Sequence, residues 1–188
     1  VLFADPAKAS ALTSAPPSAF GFLTSNPGAI DVQTGTGSFA TRLQVPNGKS
    51  FSLVGGPISV GAPPGQPAAG FILAQGLSGQ GGVVNLASVA SPGEATIGTA
   101  INVDSFAKLG DIQIKGGALI DGREINIRAG RLQITDGTLF PGLLFSARLP
   151  GAVAPAGGQV NIKVSDAVTI TGAESSVALA PPGITTFN

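Results

Sequence analysis

The chain has 188 residues, with ten basic and ten acidic side chains, zero formal net charge, and only 11% charged against 43% hydrophobic residues. That balance is the reverse of a disordered chain, and it supplies no broad field for nucleic acid or anionic membranes. Cys and His are both absent, which excludes disulfides, thiol nucleophiles and zinc–thiolate sites and removes the usual general base and commonest nitrogen ligand.

Taken from its start, the chain opens on Val1 and contains no Met, so it is expected to be processed or a window on a longer protein. No cationic stretch precedes an apolar core with a cleavage site, and no run approaches the roughly 20 apolar residues of a membrane span. Leu12 to Phe20 is rich in Pro, Ser and Ala and reads as a loop, followed by Phe20 and Phe22 around Gly21. Asn47-Gly48-Lys49-Ser50 carries only the tail of a phosphate-binding loop and reads as a turn into a strand at Phe51 to Val54. Ala62 to Gly70 is a second loop excursion.

Beyond it, triplets with one polar residue between two aliphatics recur. They are Val84-Asn85-Leu86, Ile101-Asn102-Val103, Ile112-Gln113-Ile114 and Ile125-Asn126-Ile127, then Leu132-Gln133-Ile134, Val160-Asn161-Ile162 and Val168-Thr169-Ile170. Alternation with β-branched residues predicts strands with one buried face, and flanking Gly and Asp mark turns. Gly110 to Gly122 repeats at Gly130 to Gly142, with identical Gly110/Gly130, Gln113/Gln133, Ile114/Ile134, Gly117/Gly137, Leu119/Leu139 and Gly122/Gly142. Ile112/Leu132 and Ile120/Phe140 stay apolar across the same offset of 20 residues. Leu149 to Gly157 reads as a third excursion and Ala178 to Asn188 as a departure from the regular pattern.

Short strands on a repeat of about 20 residues predict an all-β fold, a parallel β-helix (β-solenoid) with loop excursions. Residues 1–188 form one segment of it, less regular at 1–20 and 178–188. Inward aliphatics would form one continuous core, coils would stack at about 4.8 Å, and Asn and Gln would align as amide ladders. About nine coils would make a rod about 45 Å long at that spacing. Glycines are expected at the corners, where φ rises above zero. An antiparallel sandwich also explains the alternation, but not the 20-residue copy. No capping helix is evident at either end, so further coils or other molecules are expected there.

The segment Val45 to Val60, VPNGKSFSLVGGPISV, and Gly81 to Glu94, GGVVNLASVASPGE, resemble the amino-terminal region of filamentous-haemagglutinin-type exoproteins, the passengers of two-partner secretion. GREINIRAGRLQITDG at Gly122 to Gly137 and GGQVNIKVSDAVTITG at Gly157 to Gly172 are similar to repeats of such proteins. The resemblance runs from about Phe20 onward. It implies a right-handed parallel β-helix exported through a partner transporter in the outer membrane of a Gram-negative-type bacterium. It also implies a secreted or cell-surface product that adheres to host, neighbour-cell or matrix surfaces. The family's Asn-Pro-Asn-Gly motif is missing; Asn26-Pro27-Gly28 is a partial likeness, so no residue is assigned to transporter recognition.

Parallel β-helices also host polysaccharide lyases and hydrolases. The densest charged stretch, Asp111 to Asp136, contains Lys115, Asp121, Arg123, Glu124, Arg128 and Arg131. Asp121 and Glu124 would be the acids of a sugar groove and the arginines its anion-binding groups. With opposite signs interleaved and no aromatic platform, the expected reading is instead a solvated face with charges paired between adjacent coils. Calcium turns need a repeated aspartate, which Gly79-Gln80-Gly81-Gly82 lacks and Asp136-Gly137 provides in one copy only. The ten Phe are expected to stack in the core, with a minority on an adhesive patch. No residue is assigned as catalytic, cofactor-binding or metal-ligating. The expected function is a non-catalytic structural and adhesive rod. A filament subunit stacking end to end and a carbohydrate-active β-helix are the alternatives.

Overall fold

A computed structural model describes residues 17–33, 42–46, 48–61, 71–74, 81–136, 138–141, 158–172, 176–177 and 186–187. Described residues are all-β, and every strand pair outside one small sheet is parallel. The loops expected at Ala62 to Gly70 and Leu149 to Gly157 lie outside the described residues.

The parallel strands form three stacks. The first holds β4 (Ser50–Gly55), β7 (Val83–Ser88), the leading half of β12 (Glu124–Thr135), the leading half of β14 (Gln159–Thr171), and β16 (Thr186–Phe187). The second holds β2 (Ile30–Val32), β5 (Ile58–Val60), β10 (Asp111–Lys115) and the trailing halves of β12 and β14. The third holds β3 (Arg42–Gln44), β6 (Phe71–Ala74), β11 (Leu119–Gly122), β13 (Thr138–Pro141) and β15 (Ser176–Val177). Read along the chain, the strands visit the second, third and first stacks in unbroken rotation. Each parallel neighbour in a stack is therefore separated by a full circuit of the other two.

The alternation in the triplets sets which side chains turn inward. Val84, Leu86, Ile125, Ile127, Val160 and Ile162 of the first stack meet Ile58, Val60, Ile112, Ile114, Leu132 and Ile134 of the second and Ile72, Ala74 and Ile120 of the third. Ile112, Ile114, Ile125, Ile127 and Ile134 are completely buried. Parallel register aligns equivalent aliphatics, as in Ile58, Ile112, Leu132 and Val168, so each inward column is continuous from level to level.

Each stack holds five strands among the described residues, not the nine coils expected from a uniform 20-residue repeat. Ile30, Ile58, Ile112, Leu132 and Val168 occupy successive levels of the second stack, and only the step from Ile112 to Leu132 is 20 residues. The other steps are longer, and the longest carries an insertion between β7 and β10. It includes β8 (Gly93–Ile97) and β9 (Ile101–Asn102). These two join β1 (Ala19–Phe22) in an antiparallel sheet of order β1-β8-β9. Ile101-Asn102-Val103 therefore belongs to the insertion and not to the stacks, and Ala19–Phe20, expected in a loop, is strand. Ile101, Val103 and Phe106 pack with Ala87, Val89 and Ala95 in a second buried cluster, with Phe22 against Phe106 edge to face at 5.8 Å.

The 20-residue register holds on the second stack between β10 and the trailing half of β12, where Asp111 faces Arg131 and Ile114 faces Ile134. It shortens to 19 on the third, where Leu119 faces Thr138 and Ile120 faces Leu139. The expected alignments Leu119/Leu139, Ile120/Phe140 and Gly122/Gly142 are thus displaced by one. The residue is lost at the corner. Gly116 and Gly117 both take positive φ, and Ala118 tucks into the core; one level on, Asp136 turns at φ 50°. Gly110 and Gly130, by contrast, serve close approach and not positive φ. The Gly130 amide donates to Gly110 O at 2.6 Å, and a Cβ on Gly130 would stand 2.6 Å from Leu109 O.

Ile127→Ala at the centre of the first stack should lower unfolding free energy by about 2–5 kcal/mol, because the fixed levels above and below cannot close the void. Val168→Ala, 42% exposed at the last described level of the second stack, should cost much less. Urea denaturation of both variants checks the contrast.

Candidate functional site

With aliphatics committed inward, chemistry is left to the outward positions. On the first stack these align Ser52, Asn85, Asn126 and Asn161 in one column. Asn161 Nδ2 donates to Asn126 Oδ1 at 2.9 Å, Asn126 Nδ2 to Asn85 Oδ1 at 3.0 Å, and Asn85 Nδ2 to Ser52 Oγ at 3.2 Å. Every amide points its donor toward the earlier level, so the column is a directional chain that polarises itself. The amide ladder expected from the triplets is present here. The insertion covers part of it: Asn85 is 1% exposed and also donates to Thr99 O at 3.4 Å.

The charged residues separate. Glu124 Oε1 accepts from Asn126 Nδ2 at 3.0 Å and from Asn161 Nδ2 at 3.5 Å, joining the amide column. Asp121 is completely buried on the third stack. The two carboxylates weighed as groove acids thus have different settings, one holding amides and one out of solvent. Arg128 Nη1 donates to Ile127 O at 3.0 Å, and Arg123 stays exposed beside Gly81. Arg131 pairs with Asp111 on the adjacent level, Nη2 to Oδ2 at 3.2 Å and Nε to Oδ1 at 3.3 Å. This is the pairing between neighbouring levels that the interleaved signs suggested. Lys163 reaches Asp104 of the insertion at 3.8 Å.

Lys49 lies in the expected turn, its amide donating to Pro46 O at 3.1 Å beside Gly48 at φ 69°. The Phe residues depart in part from a role within the stacks. Phe51 packs against the main core, but Phe22 and Phe106 build the second cluster and Phe20 is 44% exposed. The side chains of Phe140 and Phe145 lie outside the described residues.

The outward face of the second stack forms an open groove of about 310 Å³. Asp111, Gln113, Arg131, Gln133, Ala167 and Thr169 line it. Register places Gln113 beside Gln133 and Gln133 beside Thr169. The groove is a step in side-chain length: Arg131 and Gln133 project, while Ala167 and Thr169 on the next level are short. In the sequence these glutamines were visible only as centres of strand triplets. Their identity across the 20-residue copy was the signal that they would stand side by side.

Asn126→Ala should remove an acceptor for Asn161 and leave the buried Asn85 Oδ1 without its donor, costing about 1–3 kcal/mol. Arg131→Ala, in an ion pair whose side chains are 64% and 43% exposed, should cost less than about 1 kcal/mol. Chemical denaturation at low and high salt separates them, because only the second loss shrinks with added salt. No protein-family model, no curated protein and no solved structure matches the chain.

Proposed function

We propose that this chain is a segment of a right-handed parallel β-helix from a secreted exoprotein of the filamentous-haemagglutinin type. Its role is structural and adhesive, a rod at the surface of a Gram-negative-type bacterium or in its extracellular matrix. A partner transporter of the outer membrane exports it. The observation that carries the reading is the unbroken rotation of strands through three parallel stacks, with Asp111–Lys115 placed on Arg131–Thr135 one repeat later. Chain winding explains that rotation directly. The segments that resemble the family, Val45 to Val60 and Gly81 to Glu94, contribute the strands of the first two levels of the first stack.

The proposed role needs no catalytic residue. A rod requires only that each level present a matching edge and core to the next, and the inward columns and the Asn ladder meet both needs. Adhesion requires outward chemistry, and the exposed Gln113, Arg131 and Gln133 of the second stack are compatible with it. Export in an extended state suits a fold whose contacts are made between successive circuits, since levels can add one after another.

A second reading, a filament subunit, is favoured by the last described strand of the second stack. Val168 and Ile170 are 42% and 44% exposed, although their partners Leu132 and Ile134 are buried. Such an edge can accept a parallel strand from another molecule.

Two measurements test the proposal. Surface display of a full-length precursor containing this segment should require co-expression of its outer-membrane partner; display without it would remove the two-partner assignment. Electron microscopy of the native material should show separate rods. Long filaments repeating at the length of one chain would replace the adhesive rod with the polymer.

A further inference from the structure

The outward face of the second stack is a built polar surface that the rod itself does not use. We propose that its groove binds uncharged, hydroxyl-rich glycan chains, with Gln113 and Gln133 as the principal hydrogen-bonding residues and Thr169 and the Arg131–Asp111 pair at its margins. The proposal rests on the adhesive reading and names a place and a ligand class for it.

The two outward amide columns differ in what they do with their hydrogen bonds. On the first stack the Asn side chains bond one another and Glu124. On the second, Gln113 and Gln133 stand on adjacent levels and both are exposed, yet neither bonds to the other. Each carboxamide retains two donors and an acceptor with two lone pairs for an external partner. Parallel neighbours are about 4.8 Å apart, and outward residues along one strand recur at about twice its 3.3 Å rise. The groove is therefore a two-dimensional array of donors and acceptors at spacings comparable to the hydroxyls around a sugar ring.

Charge selects among polar ligands. Arg131 and Asp111 lie 3.2 Å apart and neutralise each other, so the groove carries no excess charge for uronate, sulfate or phosphate. The lining includes no aromatic, and its two large apolar residues, Ile112 and Leu132, have their side chains buried, so it does not suit an apolar peptide segment. Strand addition is also unsuited to β10 and to the trailing half of β12, whose backbone groups are occupied by neighbours on both sides. At about 310 Å³ the groove falls at the lower end of small-ligand sites, about 300–1,000 Å³, and suits one or two sugar residues of a longer chain. Single-site affinity is accordingly weak, and repeated glycan chains on a surface would raise it by multivalency.

The test is a solution NMR titration of the chain with cellohexaose, mannohexaose and isomaltohexaose at millimolar concentration, with oligogalacturonate of equal length as the anionic control. At least one neutral hexamer should shift the side-chain amide signals of Gln113 and Gln133 saturably. The double change Gln113→Ala and Gln133→Ala should weaken that binding tenfold or more, and Ala167→Arg should abolish it by filling the step. Both variants alter outward positions, and an unchanged melting temperature will show that they fold. No shift with any neutral hexamer, shifts confined to another surface, or equal binding of oligogalacturonate would overturn the proposal. Adhesion of the parent protein to glycan-bearing surfaces, measured in parallel, separates the two ideas. Adhesion that survives both variants sinks the groove but leaves the adhesive rod, whereas a parent chain that adheres to nothing sinks the adhesive reading itself.

Discussion

Everything in this structure depends on each strand keeping the inward–outward phase of the strand one circuit earlier. Strand side chains alternate with a period of two, so a slip of one residue would send an entire inward set to solvent. Val84-Asn85-Leu86, Ile125-Asn126-Ile127 and Val160-Asn161-Ile162 are held in that phase on the first stack, and Ile112-Gln113-Ile114 and Leu132-Gln133-Ile134 on the second. A slip on the first stack would bury an asparagine among isoleucines and break the amide column in the same move. Core packing and ladder bonding therefore favour the same register, and agreement between the two levels is what gives one stacked arrangement an advantage over its neighbours.

The corners absorb what the strands cannot. The step between levels changes from 20 residues on the second stack to 19 on the third without disturbing either run of pairs. Gly116 and Gly117 take positive φ at one level, and Asp136 manages the turn at the next with its carboxylate over Gly172. On the opposite side of the second stack, β14 carries one residue more than β12 between Ala129 and Arg131, and Gly130 lets the backbones close against Leu109. Among the described residues, length variation is thus confined to turns and to the bulge between the two halves of β12 and β14, where it costs local geometry, and excluded from the paired runs, where it would cost the core.

This division explains what was legible in the sequence. The triplets revealed strand phase because alternation is a local property, and six of the seven stand in the two columns just described. The 20-residue copy revealed one register because no insertion separates β10 from β12. The third-stack register was hidden, since the identities Leu119/Leu139 and Gly122/Gly142 continue at 20 while a corner has lost a residue. Ile101-Asn102-Val103 has the same local pattern as the others and nothing in it distinguishes a stack strand from a strand of an insertion. The pairing of Ala19–Phe22 with Gly93–Thr96 spans the chain between β1 and β8 and left no periodic trace. As for the groove, its residues were visible but its shape was not. A groove arises from the difference in length between Arg131 and Ala167, and that difference matters only once the two are neighbours.

The two outward amide columns show how one sequence device serves two ends. An Asn has a short side chain, and at the strand spacing its carboxamide meets the next one while remaining close to the backbone. A Gln has an extra methylene and more rotameric freedom, so closing the same contact costs more conformational entropy. The insertion adds to this contrast. It covers the Asn85 end of the first column, where an unmade amide bond would be costly, and Asn85 bonds both Ser52 and Thr99 there. The second column stays in water, where an unmade bond costs little, and Gln113 and Gln133 are left with their capacity unspent. Cover therefore decides whether an outward amide is part of the scaffold or part of the surface. The insertion between β7 and β10 covers one end of the first column and leaves Gln113 and Gln133 of the second exposed.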